Sequence, residues 1–207
     1  MIERRLRDRG DWLGASCVCR YRDLGFLLAG HVRDGALLLS GIGGKVEPQE
    51  TFREAAVREF AEETGAELTI EEVPRPRHLT PEAAEIPVPA GAGALVAIRV
   101  PDGTAERLLW IAVFAGTVTQ TPRPVEKVPH FVLVPPATFA RAERVPDLDA
   151  LAVLDGPVAR PARDVLPSGT VRVEAVLTAR AVLTAPDLLT QWWAATAGRP
   201  AGAPGTS

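Results

Sequence analysis

A mixed α/β fold, a sandwich of strands and helices, is the class this chain predicts, and three observations predict it. Short apolar runs recur between turn signals, one strongly charged helix is marked at both ends, and 46% of the 207 residues are hydrophobic, which is ample for a real core. Charge and cysteine usage then exclude several classes. The chain carries 23 basic and 26 acidic residues, a formal net charge of −3, so duplex nucleic acid held by bulk charge is not expected. No run approaches the roughly 18 apolar residues of a membrane helix, so no membrane partner is expected. Met1-Ile2-Glu3-Arg4-Arg5 leads into no apolar segment, which reads against a secretory leader and for a cytoplasmic protein. Cys17 and Cys19 sit two apart, aimed by a strand at one face, and form neither a disulfide nor a metal framework.

The elements follow in order. Residues 12–20 read as a strand, Gly25–Gly30 as a second, and Ala36–Leu39, after the Asp34-Gly35 turn signal, as a third. Ser40-Gly41-Ile42-Gly43-Gly44-Lys45 reads as a glycine-rich loop. Thr51 opens a helix, with Glu54 at capping-box spacing and Gly65 as the left-handed stop. Leu68–Val73 alternates as a strand. Residues 74–91 hold five prolines and read as an irregular loop, because the missing amides defeat helix and sheet. Ala94–Val100 and Leu108–Val118 flank Pro101-Asp102-Gly103-Thr104 as a long hairpin. His130–Val134 is the last clear strand, leading to a short helix from about Ala137. We take residues 1–145 as the principal domain and 146–207 as an extension, with helices near 171–183 and 187–195 and a disordered tail from about 198.

The helix after Thr51 is the chemically informative segment. Nine of the sixteen glutamates fall between residues 45 and 72, against three basic residues. At 100° per residue, Val57, Phe60, Ala61 and Thr64 form an apolar face expected to meet the sheet. Ala55, Ala56, Glu59, Glu62 and Glu63 lie on the opposite side. One reading is a solvated acidic face tied by Glu54–Arg58–Glu62 pairs, each stabilising by about 0.2–0.5 kcal/mol. The other is a site for hard divalent cations, since carboxylate oxygens are the ligands magnesium prefers and usually shares with substrate phosphates. The glycine-rich loop directly before the helix supplies open backbone where a phosphate group would lie.

These residues also match a known pattern. Gly44, five residues, Glu50, seven residues, then Arg58-Glu59-Phe60-Ala61-Glu62-Glu63-Thr64-Gly65-Ala66 resembles the Nudix box, with all seven fixed letters present. Gln49 stands where many members have glycine, and Ala66 is smaller than the usual aliphatic. The resemblance implies a Nudix α/β/α sandwich in which the box forms a loop–helix–loop. It implies a magnesium-dependent hydrolase, manganese being an alternative ion, that cuts a diphosphate linkage in a nucleoside diphosphate derivative. Carried over by position, Glu59, Glu62 and Glu63 would bind metal, with the backbone carbonyl of Gly43 or Gly44 as a further ligand. Glu50 and Arg58 would orient the helix, and one carboxylate would be the general base. Glu126, five residues ahead of Phe131, looks like the additional acid of many members, and Lys45 is a candidate phosphate contact beside Gly43.

The loop Gly-Ile-Gly-Gly-Lys-Val-Glu is similar to members acting on nucleoside triphosphates more than to the ADP-ribose or coenzyme A branches. The partner expected is therefore a small nucleotide or other diphosphate. Trp110, inside an apolar strand, reads as core. Trp192 and Trp193 offer three uses: covering a neighbouring element, completing a pocket, or building a homodimer contact. His31, His78 and His130 are scattered and receive no role. The competing class is a catalytically silent Nudix-like nucleotide- or metabolite-binding module, which a lost box carboxylate or an added DNA-binding domain would favour.

Overall fold

In the computed structural model, the structure describes residues 2–33, 36–71, 77–79, 96–101, 108–123, 128, 130–134, 152–153, 172–175, 178–179 and 194. The elements are α1 (Ile2–Asp8), β1 (Trp12–Tyr21), β2 (Gly25–Arg33), β3 (Ala36–Ser40), β4 (Ile42–Lys45), α2 (Phe52–Thr64), β5 (Thr69–Ile70), β6 (Arg77–Leu79), β7 (Val96–Pro101), β8 (Leu108–Val118), β9 (His130–Val134), β10 (Ala152–Val153) and β11 (Arg172–Ala175). The expected mixed α/β class is what the chain adopts.

β1 organises the sheet. Along one edge it runs parallel to β8 over its whole length, Trp12 opposite Leu109 through Tyr21 opposite Val118. Along the other edge it pairs antiparallel with β2 near the turn, Cys19 opposite Leu27, and then with β4, Cys17 opposite Ile42 and Ala15 opposite Gly44. β2 meanwhile pairs with β3, Ala29 opposite Ser40. The β1–β2 hairpin therefore opens as a fork, and the continuous β3–Gly41–β4 stretch fills it. Gly41 sits at the junction, where an added Cβ would collide with the Ser16 Oγ and the Thr178 side chain.

Alternation along β1 decides which side holds the main core. Leu13, Ala15, Cys17, Cys19 and Tyr21 share one face with Phe52, Ala55, Ala56 and Phe60 of α2, and full burial of a phenylalanine stabilises by about 1.5–3 kcal/mol. Trp110 belongs to this core, its Nε1 donating to Asp11 Oδ2 at 2.9 Å. Burial pushes the Asp11 carboxyl up, but hydrogen bonds from Arg9, Trp110 and the Leu108 amide outweigh it, so the group ends below its ordinary range.

Several expectations need correction. The glycine-rich loop is largely strand: Ile42–Lys45 ladder onto β1 as β4, because glycines permit extended backbone against a neighbouring strand. The helix buries Phe60 and Thr64 as expected, but its packed face is rotated away from Val57 and Ala61. Val57 is 39% exposed and Ala61 is exposed, while Ala55, Ala56, Glu59 and Glu63 are buried with Phe52, Phe60 and Thr64. The two phenylalanines are bulkier than Val57, and they turn the glutamates at positions 59 and 63 inward with them. Within the proline-rich stretch, Arg77–Leu79, which lie between Pro76 and Pro81, pair parallel with β7. The helix expected over 171–183 is instead a strand at Arg172–Ala175, parallel to β3, with helical backbone confined to residues 178 and 179 among those described there. Of the strand expected over Leu68–Val73, the described residues 68–71 form strand at Thr69–Ile70, and residues 72 and 73 lie outside the described residues. β7 and β8 do pair antiparallel, Pro101 opposite Leu108; their connecting turn lies outside the described residues. So do Glu126, Lys127, Trp192, Trp193, the helix from Ala137 and the tail from 198.

Candidate active site

The site begins with the loop that enters α2. Thr51 caps the helix: its Oγ1 accepts from the Glu54 amide at 3.2 Å, and the Glu54 carboxylate accepts from the Thr51 amide at 2.8 Å. Gly65 closes the other end at φ 64°, its amide donating to Ala61 O. Local chemistry thus sets both ends of the helix, and it packs on β1 and β4.

Arg58 is the hub. Its Nε and Nη2 grip Glu50 at 2.6 and 3.0 Å, Nη1 reaches Glu59 Oε1 at 2.9 Å and both Glu62 oxygens at 3.4 Å, and Nη2 also donates to Lys45 O at 3.0 Å. A forked, permanently charged guanidinium can hold this set; an ammonium cannot. The Arg58 hydrogen bond holds the Glu50 carboxyl below the usual range, and the same contact raises Arg58 further above its own.

Glu63 is held differently. Its Oε2 accepts from the Gly43 amide at 3.1 Å, so this buried carboxylate is fixed by the β4 backbone. Glu59 presses against Gly44, where an added Cβ would lie 2.5 and 2.6 Å from the two Glu59 oxygens. A side chain at position 44 would therefore displace the Glu59 carboxylate, and the half-buried backbone there faces that carboxylate. Lys45 follows on the same strand, its Nζ 5.4 Å from the centroid of the Trp12 ring, and Trp12 is 44% exposed.

The structure thus brings Glu50, Arg58, Glu59, Glu62, Glu63, Gly43 and Gly44 together in the β4–loop–α2 unit, whereas Lys45 joins them through its carbonyl, its ammonium lying beside Trp12. The three helix glutamates are divided among partners. Among the described residues, no three His, Cys, Asp or Glu side chains converge as a ready-made metal cage. The donor set nonetheless fits a hard divalent cation: carboxylate oxygens beside backbone with no intervening side chain. Cys17 is fully buried, and burial drives its thiol well above the ordinary range, so it is no nucleophile.

Sequence reasoning missed three contributors. Glu3 and Arg7 reach the site from α1, and Trp12 flanks Lys45. The available signal for α1 was Ile2 and Leu6 at i, i+4 in an otherwise charged heptapeptide; in the fold, Glu3 and Leu6 are buried.

Comparison with known proteins supplies the family. The NUDIX domain family model matches residues 12–149. No curated protein matches the chain. Among solved structures, the E. coli ORF135 protein aligns at 22% identity and TM-score 0.44, over 62% of this chain and 77% of that one. The MutT protein from Methanosarcina mazei Go1 aligns at 20% identity and TM-score 0.45, over 65% and 84%. A NUDIX hydrolase from Nitrosomonas europaea aligns at 20% identity and TM-score 0.36, over 53% and 60%. No helix of the described residues is long and apolar enough to cross a membrane. With the family model matching most of the chain and the complete box folded as strand, loop and capped helix, the chain belongs to the Nudix hydrolase family.

Proposed function

We propose that the chain is a divalent-cation-dependent diphosphatase acting on a nucleoside triphosphate-like substrate. One observation carries the reading. Two glutamates, Glu59 and Glu63, are buried on the packed side of α2 and directed at the side-chain-free Gly43–Gly44 backbone. Burying a carboxylate is unfavourable unless something recovers the cost, so such a pair is retained for chemistry more readily than for stability.

The residues divide the work. Glu59, Glu62 and Glu63, with the carbonyl of Gly44, would hold magnesium, or manganese in its place. Bound there, the ion supplies charge neutralisation on the diphosphate and makes water more acidic. Arg58 keeps Glu50, Glu59 and Glu62 from rotating away, and the Gly43 amide does the same for Glu63. One of these carboxylates accepts the proton of the attacking water. Lys45 offers its ammonium to a substrate phosphate, and the exposed Trp12 ring beside it suits a stacked nucleobase. That neighbouring pair favours a nucleotide over a diphosphate lacking a base. Residues 1–145 form the hydrolase domain in this reading, and the setting is cytoplasmic.

The test is phosphate and pyrophosphate release, with and without magnesium, over nucleoside triphosphates, nucleotide sugars, dinucleotides, coenzyme A and isoprenyl diphosphates. We expect metal-dependent turnover strongest with triphosphates, abolished in Glu62→Gln while the fold persists. Silence across the panel would instead identify a binding module.

A further inference from the structure

Helix α1 lies outside the family match, which begins at residue 12, yet it reaches the turn between β4 and α2 through two side chains. Arg7 donates to three carbonyls of that turn: Nη1 to Pro48 O at 2.9 Å, and Nη2 to Glu47 O at 2.5 Å and Glu50 O at 3.2 Å. Glu3, 6% exposed, accepts from the amide of Phe52, the first residue of α2, at 3.2 Å.

Accounting for the backbone polar groups shows what this adds. Val46 N bonds Leu13 O, Glu47 N bonds the Glu50 carboxylate, Glu50 N bonds Glu47 O, and Thr51 N bonds the Glu54 carboxylate. Lys45 O is taken by Arg58. β1, Arg58 and the turn itself therefore satisfy these groups, and α1 adds a second bond to the Glu47 carbonyl and takes the Pro48 and Glu50 carbonyls and the Phe52 amide. The helix is itself anchored: Leu6 enters the main core, and Asp11, three residues past its end, is tied to Arg9, Trp110 and the Leu108 amide.

We propose that α1 is a clamp that positions the catalytic turn, with Arg7 and Glu3 as positioning residues acting through Glu50 and Arg58. Arg7 fixes the backbone of Glu50; the Glu50 carboxylate fixes Arg58; Arg58 fixes Glu59. A displaced turn thus moves the carboxylates without any change in the core. The consequence for turnover rests on the diphosphatase reading, while the clamp itself does not.

The experiment combines amide hydrogen exchange with kinetics on the full chain. In Arg7→Ala, amides of residues 50–52 should exchange faster while the β1–β8 ladder keeps its protection. The kcat should fall about tenfold with KM within about twofold, since misplacement near the reacting groups acts mainly on turnover. Arg7→Lys should recover only part of this, because one ammonium cannot reach three carbonyls in a fork. Adding Arg7→Ala to Glu50→Ala should cost little beyond Glu50→Ala alone, whereas a merely structural loss would add. Unchanged exchange at 50–52, exchange raised uniformly through the sheet, or fully additive losses would each overturn the clamp. If the wild-type chain turns over no phosphoanhydride, the functional reading fails, and the exchange measurements still decide the clamp.

Discussion

The two sides of α2 carry the same chemical group and treat it in opposite ways. On the solvent side, Glu54 closes the capping box and Glu62, half exposed, meets Arg58 at 3.4 Å. On the packed side, Glu59 and Glu63 are each 8% exposed, beside Phe52, Ala55, Ala56 and Phe60. An exposed carboxylate at a helix start stabilises the fold at little cost. A buried one is unfavourable unless it is hydrogen-bonded, and these two are held by Arg58 and by the Gly43 amide. The helix thus carries exposed carboxylates on one side and buried ones on the other, and in the proposed function Glu62 joins the buried pair from the solvent side.

The largest expected effect breaks the packed side. Glu63→Gln should lower turnover by about 100-fold or more, because a neutral amide cannot supply the anionic oxygen. Its unfolding temperature should stay level or rise, since the buried charge is gone while an oxygen remains for the Gly43 amide. Retained activity in a kinetic assay, or a large drop in the thermal midpoint, would erase the distinction between the two sides.

A glycine pair sharpens the comparison at intermediate size. Gly44→Ala drives a methyl group into the Glu59 carboxylate, so activity should fall about tenfold or more. Gly65→Ala meets open space but must adopt φ 64°, costing about 1 kcal/mol of stability at the helix end with kcat unchanged. Denaturant melts and steady-state rates on both variants would separate the two outcomes.

The smallest effects belong to the N-terminal cap of α2. Thr51→Ala should cost about 1 kcal/mol through the lost cap and leave turnover intact. The Thr51 amide holds the Glu54 carboxyl below its ordinary value of 4.5. A depressed folded value means the stabilisation is complete above the unfolded value and disappears as pH falls through the folded one. Arg58 acts on Glu50 in the same direction. Thermal melts from pH 7 down to 3 should therefore show stability falling below about pH 4.5, with the contribution of Glu54 missing from that decline in Glu54→Gln.

Much of this was legible in the linear chain. Leu108–Val118 and His130–Val134 read correctly as strands because their apolar runs are uninterrupted. Thr51, Glu54 and Gly65 read correctly because capping is decided within four residues. The face of α2 did not. Periodicity weighs Val57 and Ala61 as apolar, but their contribution to burial is small beside that of Phe52 and Phe60. Nor did β4, since Gly43 and Gly44 have no side chains to alternate and their strand character comes entirely from β1 alongside.

Sequence by itself determined the box, the capped helix that bears it, the family and the set of acidic groups, since each is written in residue identity and short spacing. Tertiary structure alone decided which glutamates are buried and that a helix from residues 2–8 grips the turn. The physical reason is separation along the chain. Arg7 and Pro48 stand 41 positions apart, and hydrogen bonds over that distance exist only once β1 and β4 have paired and brought the two segments together.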